Sequence, residues 1–169
     1  MIATAVTLPA VVVLVLLLNR PAPTGAAPVP DPPGSGPLPA VAGPRAAPGG
    51  AGTACRALAA KLPSRLDQLA GRDVNPAAPG LAAWGDPAVL LRCGVPKPAA
   101  FSTVAQNVIG INKVTWFVQP QAERAVWTVV DRSVYVEVSV PSGYASRPIV
   151  PLSDVVAEVL PAAPLDRTG

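Results

Sequence analysis

The chain has 169 residues, enough for one domain with appendages. Its 13 basic and 10 acidic residues are scattered, without a basic run or aromatic interleaving, which excludes a nucleic-acid binder. It has no histidine, so the commonest general base and the usual Ser-His and Cys-His pairs are absent, and two cysteines cannot by themselves hold a structural zinc; the composition implies no metal and no cofactor.

Ile2 to Leu18 is a run of 17 residues without a charge. It is apolar all round, unlike an amphipathic core helix, and as a helix it would be about 26 Å long, at the short end of a membrane span. We read 1–18 as a transmembrane anchor or signal sequence. The uncleaved anchor is the preferred form; a signal cleaved near Thr24-Gly25-Ala26 is the alternative. Arg20 follows the run and no basic residue precedes it, so the positive-inside rule taken alone would leave the C-terminus in the cytoplasm. A short basic segment ahead of Met1 would restore the outward orientation expected here.

Residues 19–53 hold ten prolines and seven glycines and almost no large apolar side chain. Such a segment cannot bury a core and is expected to be a disordered Pro/Gly-rich linker, a coil of roughly 30–35 Å end to end.

Residues 54–166 carry the fold. Cys55, Leu58 and Leu62 recur at helical spacing, so 54–62 reads as a helix with Thr53 as N-cap and Pro63 as its stop. Ser64 and Asp67 resemble a capping box for a second short helix, carrying Leu66 and Leu69 and closed by Gly71. Asp86-Pro87 is a turn signal. Ala88 to Cys93 then reads as a strand ended by Gly94, with Val89, Leu91 and Cys93 on one face. Val114 to Val118 is a further strand. Ala125 to Asp131 and Ser133 to Val140 form a hairpin around Asp131-Arg132. An even loop there puts Trp127 and Val129 on the face of Val134, Val136, Val138 and Val140; a one-residue slip would turn Trp127 outward, so the even register is expected. Ser153 to Leu160 closes the chain as a helix with Val155, Val156, Val159 and Leu160 as its stripe. The expected class is α+β: a small antiparallel sheet of about four strands with helices on one face.

Cys55 lies on the apolar stripe of a helix and Cys93 on the apolar face of a strand, the two surfaces through which helices pack on sheets. A disulfide between them would close a loop of 39 residues. Export argues for the bridge; in a reducing compartment the same positions would be two buried thiols.

Trp84-Gly-Asp-Pro87, continuing through Leu91-Arg-Cys-Gly94-Val-Pro96, resembles the signature of the DUF3515 family, uncharacterised actinobacterial proteins with an N-terminal membrane segment. Val114-Thr-Trp116, Val126-Trp127, the strand from Val134 to Pro141 and a cysteine matched by Cys55 fit the same pattern. The resemblance covers roughly 54–160 and implies an extracytoplasmic domain with a paired cysteine, and no activity.

No catalytic motif stands out. The polar residues of the signature are the candidate binding residues: Trp84, Asp86 and Arg92, gathered at one rim of the sheet around something polar. Against this, Asp86 suits a turn, Arg92 suits an acid partner and Trp84 suits the core. The expected function is a non-enzymatic, membrane-anchored cell-envelope module that binds a protein or wall component. A small-ligand or lipid carrier would instead show an enclosed apolar cavity, and a histidine-independent hydrolase a deep pocket of converging acids.

Overall fold

The computed structural model describes residues 51–75, 77–102 and 106–166. The expected membrane segment and all but the last three residues of the expected linker lie outside the described residues. Among the described residues no helix is long and apolar enough to cross a membrane.

The first helix, α1, spans Ala51–Ala59 and buries Cys55 and Leu58. It therefore includes residues 51–53, and Thr53 lies inside it instead of capping it. The Thr53 hydroxyl accepts a hydrogen bond from Arg56 Nη2 at 3.1 Å.

The expected second helix is a β-hairpin. β1 (Arg65–Leu66) and β2 (Leu69–Arg72) pair antiparallel, with Leu66 opposite Leu69. A three-residue spacing between two leucines fits a helical stripe and a two-residue turn equally well. Asp67 decides it by adopting φ 56, a left-handed value that aspartate tolerates. Gly71 is needed here for its size, since a Cβ would lie 2.8 Å from the Ser64 carbonyl oxygen.

β3 (Leu81–Trp84) and β4 (Val89–Val95) flank the Asp86-Pro87 turn, whose peptide bond is cis. Gly94 does not end β4. It takes φ 81 at a bulge between Cys93 and Val95, and the strand continues. β5 (Val108–Ile111) and β6 (Val114–Pro120) are joined by Asn112 and Lys113, both at positive φ, as a two-residue hairpin turn requires. β7 (Arg124–Val129) and β8 (Tyr135–Pro141) form the last hairpin. Trp127 pairs with Val138 and Val129 with Val136, the register expected from the even loop.

The protein is thus α+β, with an eight-stranded antiparallel sheet and two helices instead of about four strands and three helices. The strand order is β1-β2-β3-β4-β8-β7-β6-β5. Each half is a meander of four strands, and the halves join where β4 pairs with β8. The second helix, α2, spans Ile149–Val159. It starts four residues before the expected Ser153 because Pro151 falls in the first turn, where its missing N–H costs nothing. Its buried stripe is Ile149, Leu152, Ser153 and Val156, while Val155 and Val159 are only half-buried.

One buried cluster joins both helices to Val89, Leu91, Cys93, Trp116, Trp127, Val136 and Val138. Trp116 and Trp127 meet edge to face at 6.5 Å, and the Trp116 indole N–H donates to Ser153 Oγ at 2.9 Å. Ser153 in turn donates to the Ile149 carbonyl at 2.7 Å, so this buried polar pair is satisfied. On the other face Phe101, from the connection leaving β4, packs on Phe117 and Val130.

Cys55 and Cys93 are joined as a disulfide with Cα atoms 5.6 Å apart. Closing a loop of sequence separation 38 restricts the unfolded chain. By the chain-entropy relation that is worth about 4 kcal/mol. We expect the Cys55→Ser, Cys93→Ser double variant to lose about that much stability in urea unfolding. The unmodified protein, denatured without reductant, should show no reactive thiol; two would contradict the bridge.

Candidate functional site

The β1–β2 hairpin folds back beside β3 because three close contacts allow it. Gly71 N–H donates to the Ser64 carbonyl at 2.8 Å, and the Trp84 indole N–H donates to the Pro63 carbonyl at 2.9 Å. Gly85 sits against Leu69 at φ 73, where a Cβ would come within 2.9 Å of Leu69 Cδ2. β2 pairs with β3 only through Gly71 and Arg72, so it leaves the sheet before Leu81 and Ala82. The space left there is an open cleft of about 430 Å³. Leu62, Pro63, Val74, Ala78 and Ala82 supply apolar walls; Ser64, Arg72 and Asp73 supply polar groups.

The three candidates from the sequence are distributed as follows. Trp84 borders the cleft, but it is buried in the core and its N–H is used within the fold. Asp86 stands in the β3–β4 turn, more than half exposed, with its carboxylate 3.8 Å from Arg72 Nη1. Arg92 is elsewhere. It lies about 10 Å along β4 from the turn and on the face opposite Trp84, because Trp84 pairs with Val89 while Arg92 pairs with Leu81 and Glu137. Its Nε donates to Glu137 Oε1 at 3.1 Å and its Nη2 donates to the same oxygen. The three residues are not gathered at one rim.

Arg72 takes the place expected of Arg92. Its side chain is only 8% exposed, and Nη1 donates to the Gly85 carbonyl at 3.0 Å while facing Asp86. It therefore fastens the Asp86 turn to the cleft wall. Sequence reasoning passed over Arg72 because the helix expected at 64–71 ended just before it. The signal that would have found it is Leu66-Asp-Gln-Leu69 read as a hairpin turn.

The sheet face opposite the helices carries further polar groups near Arg92 and Glu137. Arg124 Nη1 donates to Ser139 Oγ at 2.9 Å, and Lys97 Nζ lies 3.4 Å from Asp166 Oδ1. The Tyr135 hydroxyl is held above its ordinary pKa of 10.0, first by burial and then by the negative charge of Asp166. Among the described residues no three of His, Cys, Asp and Glu come together in a way that would hold a metal ion.

A family model described as a protein of unknown function, DUF3515, matches residues 3–165, and the chain belongs to that family. No curated protein and no solved structure matches it.

These geometries order the arginines. Arg72→Ala should cost about 1–3 kcal/mol, because it strips a partner from the Gly85 carbonyl and empties a buried site. Asp86→Ala, at a long and half-exposed pair, should cost less than about 1 kcal/mol, with Arg92→Ala between them. Urea unfolding of the three variants checks the order; Asp86→Ala as the most damaging would refute it. Tyr135 gives a pH prediction with a definite sign. A raised folded pKa means stability that is full below about pH 10 and declines as pH rises towards the folded value. Tyr135→Phe should remove that alkaline decline, and an unchanged pH profile would count against it.

Proposed function

We propose that this protein is a non-enzymatic module of the cell envelope. In this reading residues 2–18 hold it to the membrane and the domain lies on the extracytoplasmic side. It binds a protein or wall component through the cleft beside β3. The observation that carries the binding role is the form of that cleft: open along one side and lined by polar and apolar surface in about equal measure, with small apolar side chains beside Arg72 and Asp73. Such a groove suits a segment of a larger partner better than an enclosed metabolite or a lipid chain, which require burial of most of the ligand.

The outward side and the membrane tether are each supported by one observation. The Cys55–Cys93 disulfide is a bond that oxidising compartments maintain. The family match begins at residue 3 and so takes in the apolar run, which ties that run to the domain as one heritable unit.

A photo-crosslinking residue at Val74, in the cleft, should yield a discrete adduct in native membranes. One at Val150, exposed on α2 and outside the cleft lining, should not. Asp73→Lys should abolish the Val74 adduct with stability changed by less than about 0.5 kcal/mol, as for other surface substitutions. Equal adducts from both positions, or a Val74 adduct that survives Asp73→Lys, would exclude the cleft as the binding site.

A further inference from the structure

The two ends of the sheet differ. At one end β1 and β2 curl away beside the cleft. At the other, among the described residues, β5 is a terminal strand that pairs with β6 alone, and its sequence Val-Ile-Gly-Ile has no charge, proline or bulge to blunt it. Ile109 is the most exposed large apolar side chain of the described residues, at 45%. A Cβ placed on Gly110 would have nothing within 4 Å. Natural sheets guard such edges, because an unguarded one adds a strand.

The hydrogen-bond phase of β5 identifies which strand it fits. Val118 N–H donates to the Asn107 carbonyl at 2.8 Å, in the register that pairs Val108 with Phe117. The alternation of an antiparallel ladder then turns the backbone groups of Ile109 and Ile111 towards β6 and those of Val108 and Gly110 outward. The Val108 N–H is already given to the Gln106 carbonyl at 3.0 Å. The outward set is therefore the Gly110 N–H, the Gly110 carbonyl and the Val108 carbonyl. The Asn112 N–H adds a donor at the turn, where it takes no part in the pair that closes it.

We propose that β5 is a self-association edge, where a second copy of this chain adds its own β5 antiparallel about a two-fold axis at Gly110. In that register each Gly110 exchanges both its bonds with the other Gly110. Each Val108 carbonyl receives the Asn112 N–H of the second copy, so the Val108 N–H that is already in use is not required. Ile109 of one copy comes opposite Ile111 of the other, on the helix-bearing face, and its exposed surface is covered. An isologous contact of this kind needs self-complementarity, and the donor and acceptor pattern of β5 has it. The glycine at the axis lets the two backbones meet without a side chain on either. A single strand pair is smaller than the roughly 1,200 Å² of stable interfaces, so the contact belongs to copies concentrated on one surface.

The test is disulfide trapping in the full chain, reconstituted in vesicles under a mild oxidant. Paired residues that exchange hydrogen bonds have Cα atoms about 5.5 Å apart, within disulfide range. Gly110→Cys should give a covalent dimer on a non-reducing gel, at least tenfold more than Val108→Cys, whose two copies do not face each other. Adding Ile109→Lys to Gly110→Cys should remove the dimer while the thermal midpoint stays put. Trapping at Val108 equal to or above that at Gly110 overturns the proposed register. No trapping at Gly110, or trapping that persists with Ile109→Lys, overturns the self-association.

Discussion

The pairing of β4 with β8 is the contact on which the molecule depends. Each half of the chain is a four-stranded meander built from local hairpins, with short outer strands and little to bury alone. Joined at β4 and β8, the two halves present one continuous apolar face: Val89, Leu91 and Cys93 from one, Val136, Val138 and Val140 from the other. Both helices pack on that face. The register is therefore a condition of the core, since a slip of one residue would turn one strand's three buried side chains out to solvent and bring Arg92 or Glu137 inward.

The same register places the polar features. Arg92 and Glu137 pair directly across the joint, on the face the helices leave uncovered. Cys93, one residue on, points the other way and ties α1 to the central strand. Gly80 packs against that bridge, where a Cβ would lie 3.1 Å from Cys93 Cβ and 3.3 Å from Cys55 Cβ. The segment leading into β3 is thereby seated on the disulfide. The covalent link thus bears on two sides of the cleft at once: α1, which leads into Leu62 and Pro63, and the residues running up to Leu81.

What the sequence made legible follows from physical contrast. Long apolar strands stood out: β4, β6, β7 and β8 were all expected, β4, β7 and β8 with the correct inward faces, and parity alone put Trp127 and Val129 on the face of Val136 and Val138. The four missed strands have two to four residues each, and all but β1 contain alanine, glycine or both. Leu81-Ala-Ala-Trp84 and Leu69-Ala-Gly-Arg72 carry almost no hydrophobic contrast between their faces, and partner strands, not local preference, make them β. The helix expected at 64–71 failed for a related reason. Two leucines three apart satisfy both a helix and a tight turn, and the choice was made by Asp67 accepting a left-handed backbone and Gly71 accepting a carbonyl at close range. The misplaced site had the same source. Arg92 was read as a neighbour of Asp86 because they are near in sequence, whereas β3 and the hairpin before it bring Arg72 there instead.

The two ends of the sheet are finished differently. At the β1 end the chain spends eight residues on a hairpin that contributes little to the sheet, and three tight contacts at Gly71, Trp84 and Gly85 hold it in place. These interactions bring Leu66 into the core and shape the groove beside β3. At the β5 end, among the described residues, no hairpin lies beyond the four-residue edge strand. The disulfide and the β4–β8 joint tie the molecule together at its centre, so neither sheet end is needed to hold the two halves to each other.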